Sequence, residues 1–176
     1  MTNIAKIAPE TMNATGTKPQ PAPEDKPKGV HSLLLPLVLL SGILVVSPFS
    51  LPGRNTPGVD IFALALFLPY LVVCWRLWRA PGSKEGPGLA AGIGLTFAVI
   101  AAAGCALTIG EPSYRKLGYF AALGLLHALL VGMGFMAFRQ GTSKKPAWRV
   151  AVRSVVDPIV YYGIVFFVGL GLWAHH

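Results

Sequence analysis

The sequence is short of charge. Only 12% of its 176 residues are Asp, Glu, Lys or Arg, and just 7 are acidic. A soluble domain carries about 25% charged residues, so this chain lacks the polar surface that a water-facing globule needs. Cysteine is scarce as well, with Cys74 and Cys105 the two present. They lie in separate apolar segments, one near the end of its segment and the other far from the start of the next. A spanning arrangement therefore puts them near opposite membrane faces, beyond the roughly 7 Å that a disulfide tolerates between Cα atoms. No Cys or His cluster has metal-ligand spacing, so no metal site is expected in this chain. There is no glycine-rich phosphate loop after a strand and no nucleic-acid-binding motif, and no Ser/His/acid set shares one depth. Nucleotide-dependent chemistry, nucleic-acid partners and nucleophilic catalysis are thereby set aside.

Apolar residues are abundant instead. They make up 53% of the chain, with a mean hydropathy of +0.58. They collect in five runs, about 31–51, 59–78, 88–109, 117–138 and 155–173. About 20 apolar residues at about 1.5 Å each suffice to cross a bilayer core. The sequence thus predicts an all-α, polytopic membrane protein, a bundle of five transmembrane helices over 31–174. Residues 1–30 are polar and hold Pro19, Pro21, Pro23 and Pro27. That composition reads as a disordered cytoplasmic tail and not as a secretory signal.

Basic residues give an orientation. With the N-terminus inside, 12 of the 15 Lys and Arg lie in the tail and in the two loops on the same side, and Arg54, Arg115 and Lys116 lie on the other. This bias predicts an N-terminus inside, a C-terminus outside, and the +8 net charge as membrane anchoring, with membrane lipids as a partner. Trp75, Arg76, Trp78 and Arg79 close the second run as an interface belt. Trp148, Val152 and Val155 share a face beside Arg149 and Arg153, which predicts a short interfacial lead-in helix before the fifth span. Pro36 and Pro48 interrupt the first run, which a spanning helix absorbs when neighbours satisfy the freed carbonyls. Gly88 and Gly92 form a GxxxG pair at the membrane edge, read as packing.

Four polar residues stand out at or inside the spans: Asp60, Glu111, His127 and Asp157. Asp60 suits a helix N-terminus. His127 lies near the middle of the fourth run, where an ionisable ring should face protein. Its readings are a neutral imidazole bonded to a neighbouring helix, a proton relay, a quinone contact or a haem ligand. Haem held by two histidines needs a second one at that depth, and His31, His175 and His176 lie at the edges. A proton wire between Glu111 and Asp157 has few polar steps beyond Thr108, Tyr161 and Tyr162.

The order of these landmarks resembles subunit III of the haem-copper terminal oxidases, in its short five-helix bacterial form. Ile109-Gly110-Glu111 corresponds to the family's helix-ending glutamate, without the preceding aromatic. Leu126-His127-Ala128-Leu129-Leu130-Val131 corresponds to its H-x-x-H-V pattern, with Leu130 in place of the second histidine, and Gly134 fits a later glycine. Val155-Val156-Asp157 corresponds to its F-V-D, followed here by Pro158. The family's acidic residue in the first span has no counterpart, since residues 33–51 contain no carboxylate. The resemblance implies a non-catalytic subunit of the bacterial inner membrane, without a cofactor of its own. It implies packing beside a larger oxidase subunit that carries haem and copper and whose stability and proton uptake it supports. In that setting His127, Glu111 and Asp157 are expected to be inter-helix hydrogen-bond anchors. The other readings are a small transporter using His127 and Asp157 along a path, and an accessory or assembly subunit of another membrane complex that docks through the proline-rich tail.

Overall fold

In the computed structural model, residues 29–49, 57–109 and 114–174 are described. They form five helices, each long and apolar enough to cross a membrane. These are α1 (Gly29–Val46, followed by a 3-10 turn at Ser47–Phe49), α2 (Pro57–Arg79), α3 (Glu85–Thr108), α4 (Tyr114–Gln140) and α5 (Ala147–Ala174). The polar tail expected over 1–30 lies almost entirely outside the described residues, as does Glu111.

The helix ends follow from local chemistry. Pro57 opens α2, where its missing N–H costs nothing, and Asp60 sits in the first turn against the positive end of the helix dipole. Arg76 and Arg79 occupy the last turn, against the negative end. At the head of α3 the Glu85 N–H donates to Ser83 Oγ (3.2 Å). At its tail the Ile109 N–H donates to the Cys105 carbonyl (3.1 Å), which engages one of the carbonyls a helix end leaves open.

The lead-in segment and the fifth span are one helix. α5 runs 28 residues, about 42 Å at 1.5 Å per residue, without a break at residue 155. Pro158 lies inside it, so the proline lacks one backbone bond without ending the helix.

α3 is the centre of the bundle. It packs on α2, α4 and α5, and its contact with α4 is the most extensive between any two helices, while α1 packs on α2 and α4. Small residues permit the close approach. A Cβ on Gly92 of α3 would fall on the Ser154 carbonyl oxygen of α5, and one on Gly134 of α4 would lie 2.9 Å from the Pro87 carbonyl oxygen of α3. In lipid, where helix association relies on backbone proximity and packing, such residues set the crossing points.

The α2–α3 loop (80–84) and the α4–α5 loop (141–146) meet at one end of the bundle. The Thr142 N–H donates to the Gly82 carbonyl (2.7 Å), and the Lys84 N–H donates to the Thr142 carbonyl (3.0 Å). Gly82 has a φ of 90°, a conformation that favours glycine, and this turns its carbonyl toward the other loop. Lys145 Nζ adds an ion pair to Glu85 (3.0 Å). The pairing fixes these two loops on the same side, as an alternating up-and-down chain requires.

Prolines within or just past the helices leave carbonyls without the usual donor four residues on. Besides Pro36 in α1, three such prolines stand out: Pro48 leaves Leu44, Pro69 leaves Ala65 and Pro158 leaves Ser154. Two of these carbonyls are taken by tyrosines from other helices. Tyr119 of α4 donates to Leu44 (3.2 Å) and Tyr161 of α5 donates to Ala65 (2.8 Å). Ser47 Oγ also donates to Leu44 (2.9 Å). The third carbonyl, Ser154, faces Gly92, whose Cα–H is a weak donor of the kind found at close helix crossings.

Candidate functional site

Two places carry polar chemistry: a ring cluster at mid-depth and a basic cavity at the paired-loop end.

The ring cluster draws one side chain from each of four helices: Tyr70 of α2, Phe97 of α3, His127 of α4 and Tyr162 of α5. All four are buried, with Tyr70 and His127 wholly so. His127 lies at the middle of α4. Its Nδ1 is 2.8 Å from the Leu123 carbonyl oxygen, one turn back on the same helix. A carbonyl only accepts, so Nδ1 carries the proton. In the neutral ring Nε2 is then the acceptor, and the Tyr70 hydroxyl donates to it across 2.7 Å. Phe97 packs beside the imidazole, with ring centroids 5.1 Å apart, and meets Tyr162 edge to face at 4.8 Å. The Tyr162 hydroxyl donates to the Leu66 carbonyl of α2 (3.3 Å).

Both ring nitrogens of His127 are thus engaged within the chain, and neither is presented to a ligand. A cavity of about 190 Å³ nearer the 3-10 turn touches Phe97 and Leu123 but not His127, and its walls are apolar apart from Tyr119. Among the described residues no three His, Cys, Asp or Glu side chains gather as a metal site.

Sequence reasoning singled out His127 but not its partner. Tyr70 lies near the middle of α2 as His127 does of α4, and this shared depth is the signal that links them.

The other candidates do not join His127. Asp157 is exposed and makes no hydrogen bond or ion pair with another described residue, so in this structure it is not an inter-helix anchor. Its position in α5, one turn beyond Arg153, turns the carboxylate away from the core and into the basic cavity. Asp60 is exposed in the first turn of α2. Cys74 and Cys105 are free thiols.

The basic cavity has a volume of about 620 Å³ and lies between the end of α2, the start of α3 and the first turns of α5. Arg76, Lys145, Arg149 and Arg153 line it, against the carboxylates of Glu85 and Asp157. Glu85 is held by Lys145 at 3.0 Å and by Arg76 at 3.8 Å. Arg149 and Arg153 form no ion pair with a described carboxylate. The Arg149 guanidinium lies over the Trp148 ring, 5.3 Å from its centroid.

Comparison with protein-family models, with curated proteins and with solved structures yields no match.

Proposed function

We propose that the chain is a non-catalytic integral membrane subunit, a helical support for a larger membrane complex. The observation that carries this reading is the closed mid-depth of the bundle. His127 spends both nitrogens on Leu123 and Tyr70, and the neighbouring aromatic rings fill the space around it. A transporter needs polar groups that face a path, and here the charged groups lie at the two ends of the helices while the middle is packed. Outward faces are rich in large apolar side chains, as Ile159, Ile164 and Phe167 of α5 illustrate. Such faces suit lipid and the apolar flank of a neighbouring subunit alike.

The host complex we assign is a respiratory terminal oxidase of the bacterial inner membrane, with this chain in the place of subunit III, N-terminus inside. Five helices of spanning length, the His127 pattern, the Asp157 position and the excess of Lys and Arg on one side support that assignment. Haem and copper belong to the partner subunit in this reading, and the chain contributes stability and efficient proton uptake.

The test is purification of the tagged chain from its own membranes in mild detergent. A reduced-minus-oxidised spectrum and mass spectrometry of the co-purifying proteins are the readouts. Haem bands with a large oxidase subunit in stoichiometric amount are expected. A stoichiometric but colourless partner would overturn the oxidase assignment and keep the subunit role. A colourless protein without partners overturns both.

A further inference from the structure

The cavity at the paired-loop end is not explained by a supporting role. Its lining holds four cations against two carboxylates, an excess of two positive charges. Lys145 and Arg76 share Glu85 and leave one positive charge there, while Arg149 and Arg153 with Asp157 leave the other, and neither of these two guanidinium groups is held by an ion pair with a described carboxylate. These two stand one turn apart on one face of α5, which aims two guanidinium groups into the same space. Guanidinium groups bind phosphate through paired N–H donors, so the lining has the donor chemistry for a phosphate ester.

The surroundings say what carries that phosphate. Arg153 lies about 9 Å along α5 from the helix start at 1.5 Å per residue, and apolar residues follow within two turns. Trp148 and Val152 are part of the same lining and are 64% and 53% exposed. The lining thus includes an exposed indole and an exposed branched aliphatic side chain, and the exposed Trp75 and Trp78 flank Arg76, another lining residue, near the end of α2. A soluble phosphate compound has no use for that apolar lining, whereas a lipid lays its acyl chains along it. The Gly82–Thr142 backbone pairing ties together the two loops beside the cavity, and Lys145 and Pro146 of the second loop belong to its lining.

We propose that this cavity binds the phosphate of an anionic membrane lipid in the leaflet the paired loops face, with Arg149 and Arg153 as its ligands. Lys145 and Arg76 neutralise Glu85, which would otherwise repel the headgroup. Asp157 limits the affinity from within the wall.

The test uses the full chain in nanodiscs of phosphatidylcholine with a minor share of phosphatidylglycerol. Quenching of tryptophan fluorescence by brominated forms of either lipid, and native mass spectrometry of lipids retained after release, report occupancy. Wild type is expected to favour phosphatidylglycerol by roughly thirty-fold, in line with the contribution of two basic residues near a membrane surface. Arg149→Gln with Arg153→Gln should abolish the preference. Arg79→Gln with Arg139→Gln removes the same charge outside the cavity and should leave it. Asp157→Asn should strengthen it, a gain that no folding defect mimics. Equal retention of the two lipids by wild type, or equal loss in both double variants, overturns the proposal. Displacement of the lipid by millimolar inorganic phosphate overturns the lipid as the source.

Discussion

At the scale of the residue, the pairing of His127 with Tyr70 is a buried polar bond that joins α2 and α4 by side chains alone. Replacing His127 with Leu leaves the Tyr70 hydroxyl without its acceptor, at a cost of about 1 kcal/mol, since polar contacts inside membranes contribute modestly. Tyr70→Phe should cost about the same, and the double variant should cost less than the two together. Thermal unfolding in detergent measures all three, and strict additivity would deny the bond an energetic role. His127 was legible in the sequence because a single ionisable residue interrupts a long apolar run. Tyr70 was not, because tyrosine is also common in spans as a packing ring, and its depth acquires meaning only once α2 and α4 have ends. Asp157 shows the opposite failure. Its place in a motif suggested an internal anchor, but which way a side chain faces depends on the rotation of α5, and that is set where Ser154 crosses Gly92 of α3, a residue far from Asp157 in the chain.

At the scale of the element, the helices of this protein are interrupted by proline and repaired by their neighbours. The Tyr161–Ala65 bond exists because Pro69 withholds a donor from Ala65. Tyr161→Phe is expected to destabilise the bundle by about 1 kcal/mol. In a Pro69→Ala background, where residue 69 regains its N–H, the same change should cost distinctly less. Equal costs in the two backgrounds would show that the hydroxyl serves something other than the orphan carbonyl. The crossing of α3 and α5 has a sharper requirement. Gly92→Ala puts a methyl onto the Ser154 carbonyl and should cost about 1–3 kcal/mol, the range for overpacking. Gly132→Ala, where an added Cβ meets nothing within 4 Å, should be neutral or slightly stabilising. Chemical denaturation of the two variants separates them, and a tolerated Gly92→Ala would mean the crossing is loose. The general expectation that neighbours satisfy proline-freed carbonyls was readable from composition. Which tyrosine serves which carbonyl was not, since each pair is brought together by tertiary packing across as many as 96 residues of chain.

At the scale of the whole molecule, five apolar runs and five helices agree because run length and hydropathy alone decide whether a segment spans. The ends agree less well. The fifth helix begins at Ala147, eight residues before the apolar run, because an amphipathic stretch with Trp148 and Val152 is as good a helix former as the span it joins. The Lys and Arg distribution predicts that both paired loops face the cytoplasm. Ser143 is exposed in the second of them. In a chain with Cys74 and Cys105 replaced by Ala, Ser143→Cys should resist a membrane-impermeant maleimide in intact cells and react after lysis. Labelling of intact cells would invert the topology. The pairing of those loops also has a bearing on synthesis. Gly82 and Thr142 are 60 residues apart. At about 5–20 residues per second, the first loop leaves the ribosome roughly 3–12 s before its partner. Through that interval Glu85 has no Lys145, and α3 already sits in the membrane beside α2 without the clasp that will hold its head. The nascent chain is therefore expected to be most exposed to quality-control proteases between the third and fourth insertions, and the arrival of Thr142 just after α4 ends that window.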